Sequence, residues 1–225
     1  MSPPPSPRPS PGGRGGKAAG VVSCQQNISP CKEPIMARWD NLWRDEAYVA
    51  RNWLDPDPHI VRLTPIMQGR RVQRVLDLGC GVGRHLLYLA RQGFEGHALD
   101  ISPYPDAFFD WALSVQVIHH TTAATLRQVI HHVHHKLKPG GFFFVTFPPV
   151  ENASANDGQE IEPRTFQREE DGEPLLHHYV TAEEIDALME GFRLLEKRLE
   201  PHESRDQFGQ TTSKPRWNVL AQKPS

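Results

Sequence analysis

One stretch constrains this chain more than any other: Val75-Leu76-Asp77-Leu78-Gly79-Cys80-Gly81-Val82-Gly83, an apolar run ending in an acid, then three glycines at alternate positions. An apolar-patterned helix starts directly afterwards, at Arg84-His85-Leu86-Leu87-Tyr88-Leu89-Ala90. Glycine lacks a Cβ, so the backbone can turn sharply there and lie against a bound molecule. The first N–H groups of the helix have no partner inside it and face the same place. The pattern therefore predicts a buried strand that delivers a ligand to a helix N-terminus.

The rest of the chain supplies alternating strands and helices around that turn. Strands are expected at Val72–Leu78, Glu95–Leu99, Phe109–Val115 and Phe142–Phe147, and helices at Gly83–Gln92 and Thr122–Leu137. Leu126, Val129, Ile130, Val133 and Leu137 share one side of the second helix, which Lys138-Pro139-Gly140-Gly141 then stops. Thr181-Ala182-Glu183-Glu184 has the form of a capping box and opens a helix to about Glu190. Phe192–Glu200 and Arg216–Gln222 read as two final antiparallel strands, and residues 148–176, being polar and irregular, as a long loop. Ahead of the first strand, Trp39, Leu42, Trp43, Tyr48, Val49 and Trp53 recur at helical spacing; Asp55-Pro56-Asp57-Pro58 interrupts before Ile60, Val61, Leu63 and Ile66. Two short helices are expected there, their tryptophans either in the core or over the ligand. Strands separated by helices imply an α/β sheet.

Residues 1–35 are rich in Pro, Gly and Ser and nearly devoid of large apolar side chains, which predicts a disordered tail before a single domain over residues 36–224. With 225 residues, 38% of them hydrophobic, the chain can build one core. A net charge of −2 gives no overall basic footprint for nucleic acid. No apolar run approaches the ~20 residues that a membrane span needs. The three cysteines, Cys24, Cys31 and Cys80, form neither a disulfide framework nor a zinc set, which fits a reducing cytoplasm; the tail leaves organelle targeting open.

Asp100 closes the second strand about 20 residues after the glycine turn, where a carboxylate can accept both hydroxyls of a ribose. A dinucleotide fingerprint would need a third glycine where Arg84 stands and has no place for Asp77. The glycine turn, Asp100, Pro105-Asp-Ala-Phe-Phe-Asp110, Val117-Ile-His-His120 and Leu137-Lys-Pro-Gly-Gly141 together resemble, in order, the signatures of class I S-adenosylmethionine-dependent methyltransferases of the type 11 group. The resemblance covers about Arg38 to Pro224 and implies a Rossmann-like three-layer sandwich, its sheet mostly parallel with an antiparallel final strand. It implies S-adenosylmethionine as cofactor and a small-molecule methyl acceptor. Asp77, Gly79, Cys80, Gly81 and Gly83 would wrap the cofactor's methionine part, Asp100 would hold its ribose, and Ser114 and Val115 would border the methionyl end. No catalytic residue is implied, since methyl transfer asks chiefly for alignment, and no protein partner.

One departure stands out. Only Ile101 to Phe108 separates Asp100 from the Phe109 strand, where the family places a helix, an edge strand and an adenine-contacting loop. A parallel crossover usually takes a dozen or more residues. The chain thus reads as shortened near residues 102–104, lacking one edge strand and its helix, with apolar strand faces left partly wet. The expectation is that the cofactor binds weakly or not at all, because the adenine pocket is lost although the glycine turn remains; the alternative to an enzyme is a catalytically impaired variant or isoform that serves as a binding module. The histidines at 119, 120, 131, 132, 134 and 135 complete no metal set by spacing, so no metal is expected. His131 and His135 read as a solvated helix face, and His119 or His120, at a strand's C-terminal end, as structural or as a base toward substrate.

Overall fold

The computed structural model of the chain describes residues 22–24, 44, 46–98, 104–152, 157–170, 173–205 and 210–225. In chain order the elements are β1 (Val22–Cys24), α1 (Glu46–Asn52), α2 (Pro58–Gly69), β2 (Arg74–Asp77), α3 (Arg84–Arg91), β3 (Glu95–Ala98), β4 (Phe109–Ser114), α4 (Ala123–Lys136) and β5 (Leu137–Phe147). There follow β6 (Gln159–Glu162), β7 (Thr165–Glu170), β8 (Glu173–His178), α5 (Ala182–Leu188), β9 (Arg193–Arg205) and β10 (Thr211–Gln222). A seven-stranded sheet runs β1-β3-β2-β4-β5-β10-β9, parallel from β1 to β5, with β10 antiparallel to both its neighbours. This is the mostly parallel α/β sheet the sequence implies.

Helices cover both faces, as the periodicities require. On one face Leu126, Ile130 and Val133 of α4 and Ile185 and Leu188 of α5 pack on Leu76, Ala112, Phe143 and Val145. On the other, Ile60, Leu63 and Met67 of α2 and Leu89 of α3 pack on Val75, Trp111, Leu113 and Phe144. Each such side chain contributes roughly 1.5–3 kcal/mol when fully buried. The caps are local: Thr122 accepts a hydrogen bond from the Thr125 N–H to start α4, and Thr181 accepts one from the Glu184 N–H to start α5. The second of these is the N-cap half of the expected capping box; the Glu184 carboxylate turns instead to Arg164 and His178.

Three features differ from the sequence reading. Within the proline-rich segment, Val22–Cys24 forms β1, which pairs parallel with Gly96–Ala98 of β3 and occupies the sheet edge beside it; the rest of residues 1–35 lies outside the described residues. The strand faces expected to be wet are dry: Val75 and Leu76 are fully buried and Ala98 nearly so. Aromatic side chains of the short link do this work, since Tyr104 and Phe108 pack on the core and on each other, 5.4 Å between rings, with His97 edge-on to both. Finally, the expected loop over residues 148–176 carries, from Gln159 onward, the strands of a separate antiparallel sheet, β6-β7-β8. Its strands are rich in charge, and the positions they bury include Thr165, His177 and His178 beside Phe166 and Leu175, so they carry little hydrophobic alternation to read.

Candidate active site

The glycine turn lies at the C-terminal edge of the parallel strands, where open α/β sheets bind ligands. Gly79, Gly81 and Gly83 have φ of +72°, +52° and +78°, a region that side chains with a Cβ enter at a cost. At Gly79 the need is doubled, because an added Cβ would meet the Val117 side chain at under 3 Å. Gly83 is the N-cap of α3 and offers no side chain to the first helical N–H groups, which leaves them for a ligand.

Asp77 ends β2 between Ala98 and Leu113 and is 1% exposed. Its Oδ2 is buried without a hydrogen-bond partner and stands 3.6 Å from Nδ1 of His85, a buried residue in the first turn of α3. An orphaned carboxylate oxygen beside three glycines in the left-handed region fits a ligand that brings a donor or a positive charge. S-adenosylmethionine, with its ammonium and sulfonium, is such a ligand.

The remaining expected residues are placed unevenly. Cys80 is half-buried within the turn, its Sγ donating to the Gly81 carbonyl at 3.7 Å. Ser114 is fully buried, its Oγ donating to the Leu78 carbonyl at 3.4 Å, which ties the end of β4 to the turn. Val115 points into the core with α2, so either residue would meet a ligand through backbone rather than side chain. Asp100 lies outside the described residues. Gln116, next in line, has φ of +62° and donates its N–H to Thr146 Oγ1 at 2.9 Å. A left-handed non-glycine residue at a strand's ligand edge is held there by its surroundings at a cost of ~1–3 kcal/mol.

A buried polar cluster that the sequence did not reveal borders the same edge. Asp57 N-caps α2, accepting from the His59 N–H at 2.9 Å, and pairs with Arg216 at 2.9 Å. Arg216 sits one residue beyond the Trp217–Phe147 register of β10 and β5, and His59 Nε2 meets Glu200 of β9 at 2.8 Å. Burial alone would raise the Asp57 carboxyl, but the His59 ring and Arg216 outweigh it and hold it well below the carboxylate range. His59 is raised, chiefly by its bond to Asp57. His202, nearby on β9, is lowered to about 4 by burial and then by the charge of Arg216. Arg84 stacks over Trp53 at 4.6 Å and donates to the Asp55 carbonyl, which places one of the tryptophans over the start of α3. Asp55-Pro-Asp57-Pro reads in sequence only as a break; its pairing partner is 159 positions away.

A family model for a methyltransferase domain matches residues 45–196. The chain belongs to that methyltransferase family. An uncharacterised methyltransferase of the cyanobacterium Synechocystis is 33% identical over 95 residues, which cover 32% of this chain and 45% of that protein. The match thus spans less than half the length of this curated relative. A S-adenosylmethionine-dependent methyltransferase of Methanosarcina mazei superposes with a TM-score of 0.59 at 18% identity, over 76% of this chain and 99% of that one. The 1,6-didemethyltoxoflavin-N1-methyltransferase of Burkholderia thailandensis, solved with its substrate and S-adenosylhomocysteine, gives 0.57 at 14% identity over 85% and 88%. The family, the motif order and the fold agree on a class I methyltransferase whose cofactor is S-adenosylmethionine.

Proposed function

We propose that this methyltransferase moves a methyl group from S-adenosylmethionine to a small-molecule acceptor, and that Asp77, Gly79, Cys80, Gly81, Gly83, Asp100, Ser114 and Val115 form its cofactor site. The observation that carries the reading is the turn itself: three left-handed glycines, an uncapped helix start and the orphaned Asp77 Oδ2 converge on one place. The bound cofactor supplies an already activated methyl group. What the chain must add is alignment and a dry approach. Trp53 and the Asp57–Arg216 cluster lie by Arg84 at the start of α3, where they would flank an acceptor, and a fold relative is a 1,6-didemethyltoxoflavin-N1-methyltransferase. We place the protein in the cytoplasm, where Cys80 stays reduced; no helix among the described residues is long and apolar enough to cross a membrane.

A second reading, an impaired shortened form acting as a binding module, has its own support. Only the short link joins β3 to β4, and a 95-position alignment with the cyanobacterial relative draws on 32% of this 225-residue chain, fewer residues than positions, as a gap would produce. Release of S-adenosylhomocysteine, followed over a panel of thiols, phenols and N-heterocycles, separates the two. Acceptor-dependent release supports the enzyme; cofactor binding without release from any acceptor supports the module.

A further inference from the structure

Sequence spacing completes no metal set, but the fold brings a third imidazole, His177, to the adjacent pair His119 and His120 from 57 positions away. His119 and His120 lie on the connection from β4 to α4, and His177 lies on β8 of the small sheet. One nitrogen from each falls within 4.8 Å of the other two. The rings of His119 and His120 are 4.1 Å apart, and those of His120 and His177 4.6 Å. His119 is 7% exposed, and its Nδ1 is buried without a hydrogen-bond partner. The backbone locks the two elements together, with the His178 N–H donating to the His119 carbonyl at 2.9 Å and His120 Nδ1 lying 3.3 Å from the Leu176 carbonyl.

We propose that His119, His120 and His177 bind one divalent transition ion of the zinc class. Three neutral imidazoles suit zinc, cobalt and nickel and do not suit magnesium or calcium, which take oxygen. Tetrahedral coordination with bonds of about 2.0–2.1 Å sets ligand nitrogens roughly 3.4 Å apart, so side-chain rotation of about an ångström closes the site from its present spacing. Burial drives His119 well toward its neutral form, the form that ligates. Arg168 is the nearby positive charge that opposes the ion, and it is drawn off in part by Asp157 at 3.9 Å.

Two consequences follow from the location. The ion would pin the β6-β7-β8 sheet to the loop that follows β4, since its ligands come from β8 and that loop. Three protein ligands also leave a fourth position open, as in catalytic rather than structural zinc sites. Val117, two residues before His119, touches the glycine turn, so the cluster lies near the region where the acceptor would sit under the reading above. A metal there lowers the proton affinity of a bound thiol, phenol or water. This last step rests on the proposed function; ion binding itself does not.

Protein without a histidine tag, stripped with a chelator, is titrated with cobalt chloride and read by its visible spectrum. The expected result is one equivalent bound with the intense bands of a four- or five-coordinate ion, displaced by zinc. His119→Ala, His120→Ala and His177→Ala should each weaken binding by more than roughly 100-fold, beyond what outer-sphere partners typically carry. Paired His131→Gln and His135→Gln changes, on the exposed face of α4, should leave it intact. Absence of the bands in the wild-type protein overturns the proposal, as does binding lost with the α4 pair. S-adenosylhomocysteine affinity, measured on the same variants, reports folding and keeps failure of the metal site distinct from failure of the cofactor site. If His119→Ala does not fold, the half-exposed His120→Ala carries the test.

Discussion

Replacing Gly79 by alanine tests whether the turn is held by backbone geometry and by contact at once. The φ of +72° costs an alanine ~1–2 kcal/mol. The new Cβ would also sit 2.7 Å from Val117 Cγ2 and 2.9 Å from its Cβ, with Cγ1 closer still. Overpacking of that kind typically costs ~1–3 kcal/mol, for a total of about 2–5 kcal/mol. Gly83→Ala is the internal control: φ is +78° but nothing lies within 4 Å, so only the backbone cost remains. Val117→Ala in the Gly79→Ala background should recover part of the loss, because two of the three close contacts go while the 2.9 Å contact to Cβ stays. Urea denaturation of the four proteins gives these differences directly. Equal destabilisation by Gly79→Ala and Gly83→Ala, or a Gly79→Ala change under about 0.5 kcal/mol, would refute the reasoning.

Other perturbations address the polar cluster. Asp57→Ala strands Arg216, which is 6% exposed, and should cost ~3–5 kcal/mol; urea unfolding showing less than about 1 kcal/mol would mean the pair is not as buried as it looks. His202 is about 4 in the folded protein and near 6.5 unfolded, so the unfolded chain takes up a proton first as pH falls. Its contribution is full above 6.5 and lost between 6.5 and 4, ~1–2 kcal/mol after discounting for a half-buried ring. Thermal melts across that window should show the decline, and His202→Asn should flatten it. His59, raised rather than lowered, acts in the opposite sense and loses its contribution as pH climbs.

What could be read in the sequence is what local chemistry specifies. Thr122 and Thr181 cap the helices they precede, and the glycine turn joins strand to helix where its spacing says it must, because propensity, burial period and capping all act within a few residues. The rest depended on partners distant in the chain. Val22–Cys24 has no pattern of its own and becomes a strand only by pairing with β3. Tyr104 and Phe108 read as linker residues and serve as core cover. His177 completes a cluster with His119 and His120 from 57 positions away, and Asp57 finds Arg216 across the sheet. The β6-β7-β8 strands were hidden because the positions they bury include the polar Thr165, His177 and His178, so no apolar–polar alternation marks them.

The central claim is that the turn from Asp77 to Gly83 holds S-adenosylmethionine despite the short link after β3. Isothermal titration of the purified chain with S-adenosylhomocysteine, the product form, tests it most directly. Saturable one-to-one binding is expected, with a dissociation constant in the micromolar range, about −7 to −8 kcal/mol, weakened at least tenfold by Gly79→Ala. Absence of binding at millimolar ligand, or affinity untouched by that substitution, would contradict it.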